Sequence, residues 1–553
     1  MKRALLLAAL SVACQGAPST TLPAASAPSG GYLAEPPASR GGTLVLADWE
    51  VPDTLDPVHA TTANDLRVSS LLFAPLWTLS PDLAPRPDLL RTVPTVANGG
   101  VKAGADGVSM TVDLKLAPGL RWSDGMAITA DDLIFTVNAI CSPLLPGRNR
   151  TGFDHIASQE RRSDTEVVWH FGPRPRGACG LGSDLANGID PALALLGPRA
   201  RLLPAHRLAS IPPESWPWDP YFQQPDVVSG PFALRGGVAG RLLELATNPQ
   251  YAAGRLHGPW LDGVTYRFYN GKAATIAGLQ VGETDVGFHL LPRDGGELSR
   301  IPLSVTVSSP SLQGEFLSAN HATNTATGRA PPWVANPAIL AALAAVLNRK
   351  ALNDAAFAGS AVISLGLFPA LLPGYPPPAP AGPSLAAARS TLASAKPAFS
   401  ILTVCDSEPR QVEQAELVRQ WNAAGANVSA ACAPRSQFFA ADGPNARAGF
   451  DMSLYSNGWE PDPSSWADLP NWGRCQDSRL DLDFAAGAAT LDPAKRRTAY
   501  LDAGTEWLKY GCTIPLYLWP STLQRTSRLH NFQPNPTLGM DTWNASDWWL
   551  SGG

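Results

Sequence analysis

Long apolar runs are missing from this 553-residue chain: the stretch Ala4 to Leu10 falls far short of the roughly 20 residues a helix needs to span a bilayer. No two cysteines stand at the C-x-x-C spacing of a zinc site. G-x-S-x-G, H-E-x-x-H and G-x-x-x-x-G-K-[ST] are absent too, and the eight histidines are scattered. Charge of one sign does not dominate. The net charge is -5, there is no basic stripe, and the preference for Arg over Lys follows GC-rich codon usage, which argues against a nucleic-acid partner. Neither a cofactor nor a metal is expected.

What is plentiful is proline and glycine, 53 and 49 residues, which imply many loops and few long helices. Hydrophobic residues make up 45% and charged residues 16%, the balance of a globular protein, and the length predicts two or three domains. At the N-terminus, Lys2-Arg3, the apolar run and then Ser11-Val12-Ala13-Cys14 read as a secretory signal over 1–13. Cys14 after small residues resembles the acylated cysteine of a bacterial lipoprotein, although Ser11 stands where Leu is usual; cleavage after Ala25-Ser26-Ala27 is the alternative. Residues 14–40, rich in Pro, Ser, Ala and Gly, read as a flexible tether reaching about 30 Å from a membrane anchor.

Six further cysteines, Cys141, Cys179, Cys405, Cys432, Cys475 and Cys512, form an even set in a chain that reads as exported, so disulfides are expected. Sequential pairing gives three moderate loops; other connectivities and buried thiols stay open.

Gly42 to Glu50 and Val108 to Lys115 alternate as strands, and Asp65 to Trp77 has apolar residues at helical spacing. In "LRWSDGMAITADDLIFTV", Ser123-Asp124-Gly125 is a turn signal. Thr129 and Asp132 form a capping-box pair, Asp131 joins Asp132 in the favourable first turn, and Leu133, Ile134 and Val137 supply a buried face. These acids have structural work, and Trp122 belongs to the scaffold.

The same stretch resembles a segment of the extracytoplasmic solute-binding proteins of family 5, the peptide- and nickel-type receptors of ABC importers. "DTLDPVHA" (Asp53 to Ala60), "VVSGPFAL" (Val227 to Leu234), "NPQYAAG" (Asn248 to Gly254), "GLQVGETDVGF" (Gly278 to Phe288), "FLSANHA", "AILAALAAVLNRKAL" and "IPLYLWPS" (Ile514 to Ser521) resemble other family elements in the family's order. The resemblance implies an α/β, bilobed periplasmic-binding-protein-like (type II) fold with mixed sheets, flanking helices and an extra small domain. By analogy, lobe I takes 41–77, 192–272 and 511–553, the small domain 78–191 and lobe II 273–510. A Cys475–Cys512 bridge would then lie near the hinge.

The implied function is that of a monomeric, exported, lipid-anchored receptor, not an enzyme, that closes on a di- or oligopeptide and delivers it to membrane permease subunits. The same fold binding a metal chelate, haem or oligosaccharide is the alternative, followed by a regulatory envelope lipoprotein; a hydrolase ranks last. Family analogy assigns Thr61, Thr62, Ala63 and Asn64 to a backbone edge for the ligand. "YSNGWEPDPSSW" (Tyr455 to Trp466) resembles the distal-lobe motif whose acid holds a peptide's α-ammonium, so Asn457, Trp459, Glu460, Asp462 and Trp466 join the expected site. A turn around two prolines is the competing role for Glu460 and Asp462. Tyr517 and Trp519 are candidate pocket walls, with core packing as the competing role.

Overall fold

The computed structural model describes residues 32–107, 109–145, 153, 156–172, 201–369, 371–372, 374–376, 382–440, 442–458, 460–467, 474, 477–511 and 513–552. Cys14, Cys179, Trp459, Cys475 and Cys512 lie outside them.

The first strand, β1 (Thr43–Asp48), has neighbours on both sides, which is why it is apolar almost throughout. A small sheet follows, built from β2 (Val101–Ala103), β3 (Met110–Lys115), β4 (Ile156–Ser163) and β5 (Glu166–Phe171) in the order β2-β3-β5-β4. The other strands of the large sheet are β6 (Phe232–Val238), β7 (Leu242–Thr247), β8 (Gly263–Phe268), β9 (Val286–Leu290), β10 (Ser304–Ala319), β11 (Val362–Ile363), β12 (Ala398–Val404), β13 (Asn427–Ala433), β14 (Met452–Gly458) and β15 (Thr513–Thr526). With β1 they form one sheet in the order β13-β12-β14-β10-β15-β9-β1-β8-β7-β6, and β11 pairs with β15 off this path.

Two groups of core residues divide this sheet into lobes. Lobe I and the small sheet share one core, from Leu44 to Phe288 and again from Leu523 to Trp548. Lobe II has two cores, one on Leu317, Trp421 and Tyr517 and the other on Phe316, Trp466 and Trp507. Among the described residues only β10 and β15 run through both lobes. They pair from Ser304↔Thr526 to Pro310↔Pro520, lose register, and resume from Gly314↔Leu518 to Ser318↔Thr513. Two facing prolines bring no N–H to the ladder, so it breaks where the chain passes between lobes. The Ser311 hydroxyl bonds the Trp519 carbonyl at 2.8 Å, and the Leu312 N–H bonds the Pro536 carbonyl at 2.6 Å.

This crossing moves the expected boundaries. β9 pairs with β1 (Leu46↔Val286), so residues 273–309 join lobe I, and the return crossing falls at Pro520, not 511. The tether is shorter as well. Tyr32 is buried, its hydroxyl donating to Asp547 at 2.7 Å, and Glu35 exchanges two backbone hydrogen bonds with the Asn531 side chain. Residues 32–41 therefore pack on lobe I because an aromatic ring and backbone groups find partners there.

Local sequence signals act as read. Helix α1 (Ala63–Leu72) starts at a Thr62 capping box but stops short of the expected Trp77, since Pro75 forces the residue before it out of helical geometry. Gly230 fits against this helix end: a Cβ there would lie 2.4 Å from the Leu72 carbonyl carbon. Helix α2 (Ala130–Cys141) begins at the Thr129–Asp132 box, and the second Asp132 oxygen accepts the Ala205 N–H at 2.9 Å. Trp122 is fully buried, as the scaffold role requires. Further on come α3 (Lys272–Gln280), α4 (Arg349–Phe357), α5 (Glu408–Ala423) and α6 (Pro493–Tyr510).

Cys405 and Cys432 are bonded, tying together the C-terminal ends of the parallel neighbours β12 and β13, and Cys141 is also in a disulfide. The Cys405–Cys432 bridge closes a loop of 27 residues. Replacing both cysteines by alanine is expected to destabilise lobe II by about 3 kcal/mol, read by chemical unfolding. An unchanged midpoint would show that the bridge adds nothing to β12–β13 pairing.

Candidate functional site

In open α/β sheets the crevice outside the carboxyl ends of parallel strands is where side chains converge. β1 runs parallel to β8 and β9 and delivers Trp49 and Glu50 to that crevice from lobe I. From lobe II the parallel pair β12 and β13 delivers Glu408 and Arg435. Three ion pairs cross between the lobes. Arg435 faces Glu50 at 3.7 Å, while Lys272 and Arg293 take one Glu408 oxygen each at 3.0 and 2.7 Å. Lys272 also bonds Asp294 at 2.9 Å.

Beneath the lobe I face lies a buried polar knot. Asp48 accepts from Arg67 at 3.2 Å and pairs with His289 Nδ1 at 2.9 Å; Arg67 also donates to Asp541 at 2.8 Å and to Asn64 at 2.7 Å. Burial opposes the charge on Asp48, yet His289 and Arg67 hold its pKa below the usual carboxylate value. Burial likewise opposes protonation of His289, but the charges of Asp48 and Glu50 together with the Asp48 hydrogen bond raise the imidazole pKa. Two carboxylates are thus matched by two cationic side chains.

Glu50 and Asp53 lie above this knot. Neither carboxylate accepts a hydrogen bond among the described residues, and burial together with the charges of Asp65 and Glu50 pushes the Asp53 pKa up. Arg435 is 48% exposed and meets Glu50 beyond hydrogen-bond distance, so both charges face the crevice with capacity to spare.

The expected site residues separate in space. Thr61 is exposed and Thr62 caps α1, but both their N–H groups already bond to Asp65, at 3.1 and 2.9 Å, and are not available as a ladder edge. Ala63 opens the helix, and Asn64 is buried in the Arg67 knot. In lobe II, Asn457 pairs in register with Gly314, and Glu460 is half-buried with its carbonyl accepting from Ser465. Asp462 is engaged within the protein: Arg496 grips both its oxygens at 2.8 and 2.7 Å, and the Ser464 N–H donates to it at 3.0 Å. Trp466 is 1% exposed and packs edge-on to Phe368, so core packing wins there.

Tyr517, also buried, donates to Glu413 at 2.5 Å. Trp519 donates to Glu315 at 2.5 Å beneath the Arg410 guanidinium. Trp466 and Tyr517 do border a cavity, with Glu315, Phe316 and Trp507, but at about 20 Å³ it has room for one water. Sequence reading missed Glu50, Arg435, Glu408, Lys272 and Arg293. The position of Glu50 just past an alternating strand was the one signal; nothing in the spacing marks the others.

Residues 92–479 match the family described as bacterial extracellular solute-binding proteins, family 5 (Middle). The chain belongs to this family. Among curated family relatives, the oligopeptide-binding protein AppA of Bacillus subtilis is 24% identical over 253 residues, 46% of this chain and 41% of AppA. The glutathione-binding protein GsiB of Salmonella typhimurium is 24% identical over 523 residues, 91% of this chain and 94% of GsiB. The solved structure of B. subtilis AppA in complex with a nonapeptide superposes with a TM-score of 0.74 at 18% identity, covering 94% of this chain and all of AppA's. NikZ from Campylobacter jejuni in complex with Ni(L-His) gives 0.72 at 16% identity, over 92% of this chain and 99% of NikZ. The bilobed architecture is thus the family's, and its members are solute-binding receptors.

The Asp462–Arg496 pair is a structural tie. Arg496→Met is expected to cost about 3–5 kcal/mol by stranding a buried carboxylate, read by thermal unfolding, with Asp462→Asn milder. Equal stability of Arg496→Met and the parent would return Asp462 to the set of ligand-binding acids.

Proposed function

We propose that this chain is the substrate-binding component of an ABC importer, exported and held at the membrane by acylated Cys14, and that it takes di- or oligopeptides between its lobes. One observation carries the reading: charged side chains from both lobes meet across a crevice at strand ends, with β10 and β15 passing between the lobes. A ligand touching both faces stabilises the closed arrangement by its differential contacts, and permease subunits read that shape. No bond is made or broken. Among the described residues no helix is long and apolar enough to cross a membrane.

In this reading Glu50 and Asp53 accept the peptide's α-ammonium, and Arg435 donates to its first carbonyl. Asp462, the acid expected for the ammonium, is held by Arg496. A monomer suffices, since the charges come from one chain. A non-peptide solute is the second reading, and what favours it is that same engagement of Asp462.

Native mass spectrometry of the protein purified from its own envelope fraction, followed by denaturation, identifies the cargo. Short peptides are expected; a single non-peptide species would move the assignment to the second reading. With such peptides in calorimetric titrations, Glu50→Gln and Arg435→Gln are each expected to weaken binding by about 1–3 kcal/mol. Unchanged affinity in both would take the crevice pair out of the site.

A further inference from the structure

Lobe II has its own buried charged knot, and its charges do not balance. Glu315 on β10 receives Arg410 at 3.0 and 3.3 Å and the Trp519 indole at 2.5 Å, so both its oxygens are satisfied. Glu413, one turn along α5 from Arg410, is fully buried with Tyr517 on one oxygen, and its other oxygen has no hydrogen-bond partner among the described residues. Glu315 from β10, Tyr517 from β15 and Arg410 from its own helix are the titratable groups that face it. Lobe I matches two carboxylates with Arg67 and His289; lobe II matches two with Arg410 alone. An ionised, half-satisfied carboxylate in a dry site is strongly disfavoured.

We propose that Glu413 holds a proton at neutral pH, and that this proton keeps Arg410 on Glu315 and so fastens Trp519 at the inter-lobe crossing. The proton fills the place that His289 fills in lobe I. Once Glu413 ionises, Arg410, three residues away on the same helix, is drawn between two carboxylates and its hold on the Glu315–Trp519 pair weakens. Trp519 is next to Pro520, and its carbonyl receives the Ser311 hydroxyl, so the loss is felt where β10 and β15 pass between lobes. Burial first, then the Glu315 charge, push the Glu413 pKa up, in line with this geometry. The inference stands whatever solute the crevice takes.

The sign follows from linkage. Because the folded protein retains a proton that the unfolded chain loses above the ordinary glutamate range, stability falls as pH rises from there to the raised folded pKa. Glu413→Gln, which cannot lose a proton, is expected to track the parent near pH 5. It should then gain on the parent by up to about tenfold in the folding equilibrium constant per pH unit above that, read by denaturant unfolding of the full chain. Glu315→Gln, which leaves Arg410 to pair with Glu413 alone, should lessen the parent's fall in stability with rising pH in the same sense. A Glu413→Gln deficit that is constant across pH would overturn the proposal. Infrared spectra of the parent protein labelled with ¹³C-glutamate give a readout that does not depend on the variants folding. A protonated-carboxyl stretch with the glutamate isotope shift is expected at pH 7 and should fade on alkalinisation, and its absence at pH 7 would equally overturn the assignment.

Discussion

The pairing of β10 with β15 is the constraint on which the molecule depends. Among the described residues these two strands alone carry the sheet from one lobe to the other, and at Pro310 opposite Pro520 the ladder has no N–H to offer. Rigid pairing on either side and a break between them is how a continuous sheet yields two bodies. Each body then hangs its crevice side chains on the ends of parallel strands, β1 in one lobe and β12–β13 in the other, so their relative placement follows from the strands behind them.

Under each crevice face is a set of two acids and one arginine: Asp48, Asp541 and Arg67 in lobe I, Glu315, Glu413 and Arg410 in lobe II. Groups of this kind contribute little net stability after desolvation, but they position what they touch. The lobe I set fixes the backbone of Trp49 and Glu50 through the Asp48 carboxylate. The lobe II set fixes Trp519 beside the crossing. Side-chain charge thus connects the core to the exposed crevice in both lobes.

Much of the fold was legible in the sequence because its signals are local. The Thr129–Asp132 box and the β1 and β3 alternations need only near neighbours, and collinear motifs identified the family. The site was far less legible. Asp462 reads as a ligand acid until Arg496, remote in sequence, is brought onto it by α6, and the Thr61 and Thr62 amides read as a free edge until Asp65 turns back to take them. Glu50 and Arg435 meet only after the whole sheet has assembled. The tether was overestimated for the same reason, since the partners of Tyr32 and Glu35 come from the other end of the chain.

That lobe I is completed by segments beyond the return crossing has a consequence for how the protein folds. Its central strand β9 is paired on one side by β15, and its core includes Leu523, Phe532 and Trp548. Lobe II, by contrast, is nearly contiguous between the two crossings. High contact order slows the first and low contact order favours the second, so lobe II is placed to fold ahead while lobe I waits, its apolar face uncovered, for β15 to arrive.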